Sequence, residues 1–87
     1  MILHVTDAKH LQDYQVWLKF NDGAEGVVDF RKELWGAMFE PLKDLNLFSQ
    51  LKLDTELDTI VWPNGADLAP EFLHELLQQS QGTQHVR

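Results

Sequence analysis

The sequence contains no cysteine, so neither a disulfide framework nor a thiolate metal site is open to it, and packing alone must hold the fold. It also lacks any apolar run approaching the roughly 20 residues of a membrane-spanning helix. Its first residues, Met1 to Thr6, carry no basic region and meet Asp7 too soon for a signal peptide. With the missing cysteines, which suit a reducing compartment, these absences lead to the expectation of a soluble, unexported protein of the cytoplasm. Positive charge is scarce as well: seven Lys and Arg stand against fourteen Asp and Glu, a formal net charge of −7. That balance repels nucleic-acid phosphates and anionic membrane surfaces. The basic residues are scattered at Lys9, Lys19, Arg31, Lys32, Lys43, Lys52 and Arg87, so no basic face and no direct nucleic-acid or membrane binding is expected. A basic protein partner would be attracted, although moderate acidity also serves solubility.

What is present is an ordinary globular mixture. Hydrophobic residues make up 44% of the 87 and charged residues 24%, with three Trp and five Phe. A chain of this size has room for one core, burying about 60 to 65% of the surface it exposes when unfolded, and has little material for a deep pocket. A small domain with a short core also gains stability by pairing, so a homodimer is one possible state.

The hydrophobic pattern gives the elements. Tyr14, Val16, Leu18 and Phe20 alternate with Gln15, Trp17 and Lys19, the period-2 signature of a half-buried strand. Asn21-Asp22-Gly23 supplies a tight reversal, and Glu25 to Phe30 reads as the returning strand. Ile2 to Thr6 is expected to be a further strand, joined to the hairpin by a polar turn around Asp7 to Asp13. Glu33-Leu34-Trp35 suggests a helical turn stopped at Gly36, and Asp44 is a natural N-cap for a short helix carrying Leu45, Leu47, Phe48 and Leu51. Leu51 to Asp54 and Thr59 to Trp62 look like a second hairpin around Thr55 to Asp58. From Pro70 to about Gln79, the residues Phe72, Leu73, Leu76 and Leu77 repeat at helical spacing, with Pro70 suited to the first helical position. The expected architecture is α+β: a small antiparallel sheet of two hairpins and an N-terminal strand, packed on a C-terminal helix and one or two short helices. One domain is expected over 1–79, with 80–87 as a flexible tail.

Few patterns carry chemistry. His4, His10, His74 and His85 show neither H-x-H nor H-E-x-x-H spacing, Ser49 and Ser80 sit outside any nucleophile elbow, and Gly23 and Gly26 precede no P-loop lysine. No catalytic residue, metal or cofactor is therefore expected, and the chain reads as a non-enzyme. The densest stretch is Trp62-Pro63-Asn64-Gly65-Ala66-Asp67-Leu68-Ala69-Pro70-Glu71. Turn chemistry accounts for all of it: Pro63 starts a turn, Asn64-Gly65 completes it, and Asp67 and Glu71 complement the start of the next helix. The functional reading makes Asn64, Asp67 and Glu71 a polar recognition edge beside Trp62, an aromatic among hydrogen-bonding groups. Trp17, on the polar face of its strand, is a second candidate partner anchor, unless it packs beneath the segment 31–50; Trp35 is equally ambiguous.

Phe20-Asn21-Asp22-Gly23, Gly26-Val27-Val28-Asp29, Phe39-Glu40-Pro41-Leu42 and the block from Ile60 to Glu71 resemble, together, the bacterial family called domain of unknown function 2442. The resemblance runs over nearly the whole chain before the tail. It implies a compact α+β domain of the prokaryotic cytoplasm, found in some longer relatives ahead of a helix-turn-helix domain. It carries over no activity and no catalytic residues. Asp58 stands where the family often has Gly, and His74 where an aromatic is common. Family members also look like small proteins encoded beside another short protein, which implies toxin–antitoxin-like pairing. The resulting expectation is a protein-interaction or regulatory module, an antitoxin-like partner of a small basic protein. The alternative is a small-ligand sensor or enzyme, which requires Asn64, Asp67 and Glu71 to converge on a concave pocket walled by Trp62.

Overall fold

The structure, a computed structural model, describes residues 2–82, with side chains to Ser80. Its strands are β1 (Val5–His10), β2 (Gln15–Phe20), β3 (Glu25–Asp29), β4 (Lys52–Asp54) and β5 (Thr59–Val61). Its α-helices are α1 (Leu45–Phe48) and α2 (Pro70–Gly82), and two 3-10 turns cover Arg31–Glu33 and Glu40–Lys43. The arrangement is α+β, as the pattern of elements led one to expect. The strands form two sheets instead of one: an antiparallel sheet in the order β1-β2-β3 and a separate β4-β5 hairpin.

The central strand β2 sends Val16, Leu18 and Phe20 into the core, because alternation puts every second side chain on one face. Val28 and Phe30 from β3 and its exit, Leu42, Phe48, Ile60 and Trp62 from the middle of the chain, and Leu73 and Leu77 from α2 complete it. Phe48 is its aromatic hub, with ring centroids 5.3 Å from Tyr14, 5.6 Å from Trp62 and 6.0 Å from Phe30. Asp44 caps α1, its side chain accepting from the Asn46 N–H at 3.0 Å.

Two boundaries differ from expectation. The first strand runs over Val5–His10 instead of Ile2 to Thr6, and the turn narrows to residues 11–14. Strand β1 is hard to recognise because its inward positions after Val5 are Ala8 and His10, while Asp7 and Lys9 face outward opposite Lys19 and Trp17. Residues 2–4 lie outside the ladder because Asn21 holds them: its side chain donates to the Ile2 carbonyl at 2.7 Å and accepts from the His4 N–H at 3.0 Å. At the other end α2 continues to Gly82, so Ser80 and the two residues after it are helix and not tail. The remaining tail residues, 83–87, lie outside the described residues.

Within α2 the apolar stripe is only half used. Leu73 and Leu77 are buried, Leu76 is half-buried, and Phe72 retains 37% exposure. The helix thus presents an apolar edge that the core of its own chain does not cover.

Candidate functional site

The Trp62 to Glu71 connection is a closed structural turn. Trp62 N–H donates to the Ala66 carbonyl at 2.9 Å, Gly65 N–H to the Trp62 carbonyl at 2.9 Å, and Ala66 N–H to Asn64 Oδ1 at 3.1 Å. Gly65 has φ +90°, the left-handed backbone that glycine adopts without strain. The hairpin joining β2 and β3 repeats this arrangement bond for bond. Phe20 N–H donates to Ala24 at 2.9 Å, Gly23 N–H to Phe20 at 3.0 Å, and Ala24 N–H to Asp22 Oδ1 at 2.9 Å, with Gly23 at φ +92°. In both turns a buried aromatic opens the loop, an Asx side chain closes it, and a glycine permits the reversal.

The sequence-derived partner residues do not assemble into one surface. Trp62 is 3% exposed and its indole N–H donates to the Phe48 carbonyl at 2.9 Å, so it is a core residue and not an interface anchor. The expectation failed because an X-Pro tryptophan beside polar turn residues looks identical whether its ring points in or out. Asn64 is exposed, but its amide is engaged on both sides: Oδ1 inside the turn, and Nδ2 donating to the Met38 carbonyl at 2.9 Å. Asp67 forms an isolated bridge with Val61, and Glu71 lies exposed in the first turn of α2. None of Trp62, Asn64, Asp67 and Glu71 lines either of the two surface depressions described below. Trp17 lies half-buried on the outer face of the three-stranded sheet, across from Lys9 on one side and Val27 on the other. It does not join the face built around Trp35.

That face is the one sequence reasoning missed. Trp35 is 71% exposed and Met38 47% exposed. Trp35, Phe39, Leu68 and Phe72, with Glu33, line an apolar depression of about 220 Å³. Local chemistry explains the placement. The 3-10 turn Arg31–Glu33 buries Leu34 and leaves Trp35 outside, and Gly36, at φ +89°, reverses the chain so that Phe39 and Glu40 N–H groups return to its carbonyl. Phe39 belongs to both worlds, lining the depression while its ring stands 6.4 Å from the ring of buried Trp62. Asn64 thus positions the face from behind, through the Met38 carbonyl. One sequence signal pointed here: an apolar stripe on α2 four residues wide, more than one core contact needs.

A second depression of about 350 Å³ adjoins it through the shared Glu33 and is lined by Val28, Arg31, Lys32, Leu76 and Ser80 among others. Arg31 lies over the Tyr14 ring, 5.2 Å from its centroid. Away from both depressions, His74 Nε2 lies 2.8 Å from Asp22 Oδ2, joining α2 to the β2-β3 turn, while the His74 ring packs edge-on against Phe20 at 4.9 Å. The Ala24 N–H above all holds the Asp22 carboxyl below its ordinary value; burial opposes it, and the hydrogen bond and charge of His74 add to the lowering. Among the described residues no His, Asp and Glu side chains gather in a group able to hold a metal ion. Among the same residues no helix is long and apolar enough to cross a membrane.

A family model described as "Protein of unknown function (DUF2442)" matches residues 5–78, which takes in both sheets, the Trp35 face and most of α2. No curated protein and no solved structure matches the chain.

Proposed function

We propose that this chain, which belongs to the DUF2442 family, is a protein-interaction module that docks a basic partner through the face built on Trp35, Phe39, Leu68 and Phe72. The observation that carries the reading is a tryptophan left 71% exposed beside an apolar depression, in a chain with little core to spare. Monomeric proteins rarely leave such surface uncovered without using it, and buried tryptophans are the commonest anchors of interfaces. The charge of −7 favours a basic partner and opposes pairing of two copies of the chain. A role as the antitoxin-like or regulatory partner of a small basic protein, in the bacterial cytoplasm, fits that chemistry. A binding role rather than a catalytic one is supported by the position of Asn64, Asp67 and Glu71 outside both depressions.

Capture from the native host tests this. Tagged wild-type chain should retain one stoichiometric basic protein, Trp35→Ala should lose it, and Trp17→Ala should keep it. Equal retention by Trp35→Ala would place the interface elsewhere.

A further inference from the structure

Resting on that reading, we infer that the outer edge of β3 takes up an extended strand of the basic partner, with basic side chains on the outer face of the sheet and apolar ones turned toward the depression between β3 and α2. Strand β3 ends its sheet, paired only with β2. The Phe20 N–H donates to the Ala24 carbonyl and the Phe30 N–H to the Tyr14 carbonyl, and the register between these two bonds runs without a slip. Antiparallel ladders alternate, so Gly26 and Val28 turn their backbone groups to β2 while Glu25, Val27 and Asp29 turn theirs away from it. Among the described residues the Val27 and Asp29 N–H groups have no acceptor. The Val27 carbonyl meets Ser80 Oγ at a long 3.4 Å, and that hydroxyl, with one proton to give, lies closer to the Leu77 carbonyl, at 3.0 Å.

Backbone groups at strand spacing are matched by another extended backbone, and in strand addition of this kind the main-chain bonds give affinity while pockets for alternate side chains give selectivity. Such a pocket adjoins the edge. Val28 faces inward, and the depression of about 350 Å³ lined by Val28 and Asp29 of β3 and by Leu76 and Ser80 of α2 lies on the side to which an added strand sends every second side chain. On the opposite side Glu25 and Asp29 are exposed with Val27 between them. Opposite charges across a strand pair stabilise it, and like charges directly opposite destabilise it. Two copies of this chain paired antiparallel about Val27 would set Glu25 of each against Asp29 of the other, so the edge disfavours its own copy and favours a basic strand. It is also open to pairing by its sequence, since Glu25-Gly26-Val27-Val28-Asp29 carries none of the proline, lysine or bulge that commonly blocks an edge.

The test uses the full chain and four synthetic peptides at millimolar concentration, read by the amide resonances and hydrogen exchange of Val27 and Asp29. Acetyl-Lys-Val-Val-Val-Lys-amide should shift both resonances saturably and slow both exchange rates, leaving the Trp62 indole resonance in place. The same peptide N-methylated at its central valine lacks the donor aimed at the Val27 carbonyl and should bind about tenfold more weakly or not at all. Glutamate in place of both lysines should weaken binding by about threefold or more, and serine in place of the second and fourth valines, the side chains turned toward the depression, by a similar factor of about threefold or more. Equal binding of the N-methylated peptide would overturn strand addition, equal binding of the glutamate peptide the basic occupant, and equal binding of the serine peptide the part played by the depression. Unchanged exchange at Val27 and Asp29 with every peptide would overturn the proposal outright. The broader interaction reading fails separately, when partner capture itself ignores Trp35→Ala.

Discussion

Phe39 is shared by two tryptophans with opposite surroundings. Trp62 packs on it from the core, 3% exposed, its indole N–H bonded to Phe48. Trp35 lines a depression with it at the surface, 71% exposed. The sequence around Trp62 is rich in polar and turn residues, and the polar groups of Trp62 and Asn64 turn out to be internal wiring. The sequence around Trp35 is sparse, and its side chains are what the fold leaves uncovered. Dense local chemistry therefore marks a turn that must be built, and the proposed interaction surface lies where apolar groups exceed what the core takes in.

This contrast can be broken by a urea series. Trp62→Ala should cost about 3–5 kcal/mol, because it empties a fully packed aromatic site and orphans the Phe48 carbonyl. Asn64→Ala should cost about 1–2 kcal/mol through its two lost hydrogen bonds. Trp35→Ala should stay within about 0.5 kcal/mol of wild type. A large loss from Trp35→Ala would mean that its ring belongs to the core after all.

The two matching turns sharpen the comparison at a smaller scale. Asp22 and Asn64 play the same part, but Asp22 adds a charge that meets His74. Because its folded pKa lies below the ordinary value, Asp22 contributes stability that is present above that value and is lost as pH falls through the folded one. Asp22→Asn keeps the acceptor and removes the charge. Thermal midpoints should show wild type ahead of Asp22→Asn at pH 5, with the gap closing as pH falls below about 4. A gap independent of pH would mean that the charge of Asp22 contributes nothing to stability.

Much of the fold could be read in advance, for identifiable reasons. Strand β2 announces itself by clean alternation, the Asn21-Asp22-Gly23 reversal by its residue types, and α2 by Pro70 and its leucine spacing. The β4-β5 hairpin is legible in its spacing, and Asp58 takes φ +60°, the left-handed backbone its loop requires. Strand β1 was misplaced because Ala8 and His10 are weak markers of a buried face. The site was less readable than the fold. Whether Trp62 or Trp35 points inward depends on how the segment 31–48 folds back over the sheet, which involves contacts such as Asn64 to Met38, 26 residues apart. No local pattern encodes that choice.

The most direct test of the central claim is hydroxyl-radical footprinting of the chain alone and bound to its captured basic partner. Trp35 should react readily in the free chain and become protected in the complex, with Trp62 unreactive in both. Undiminished reactivity of Trp35 in the complex would contradict the account.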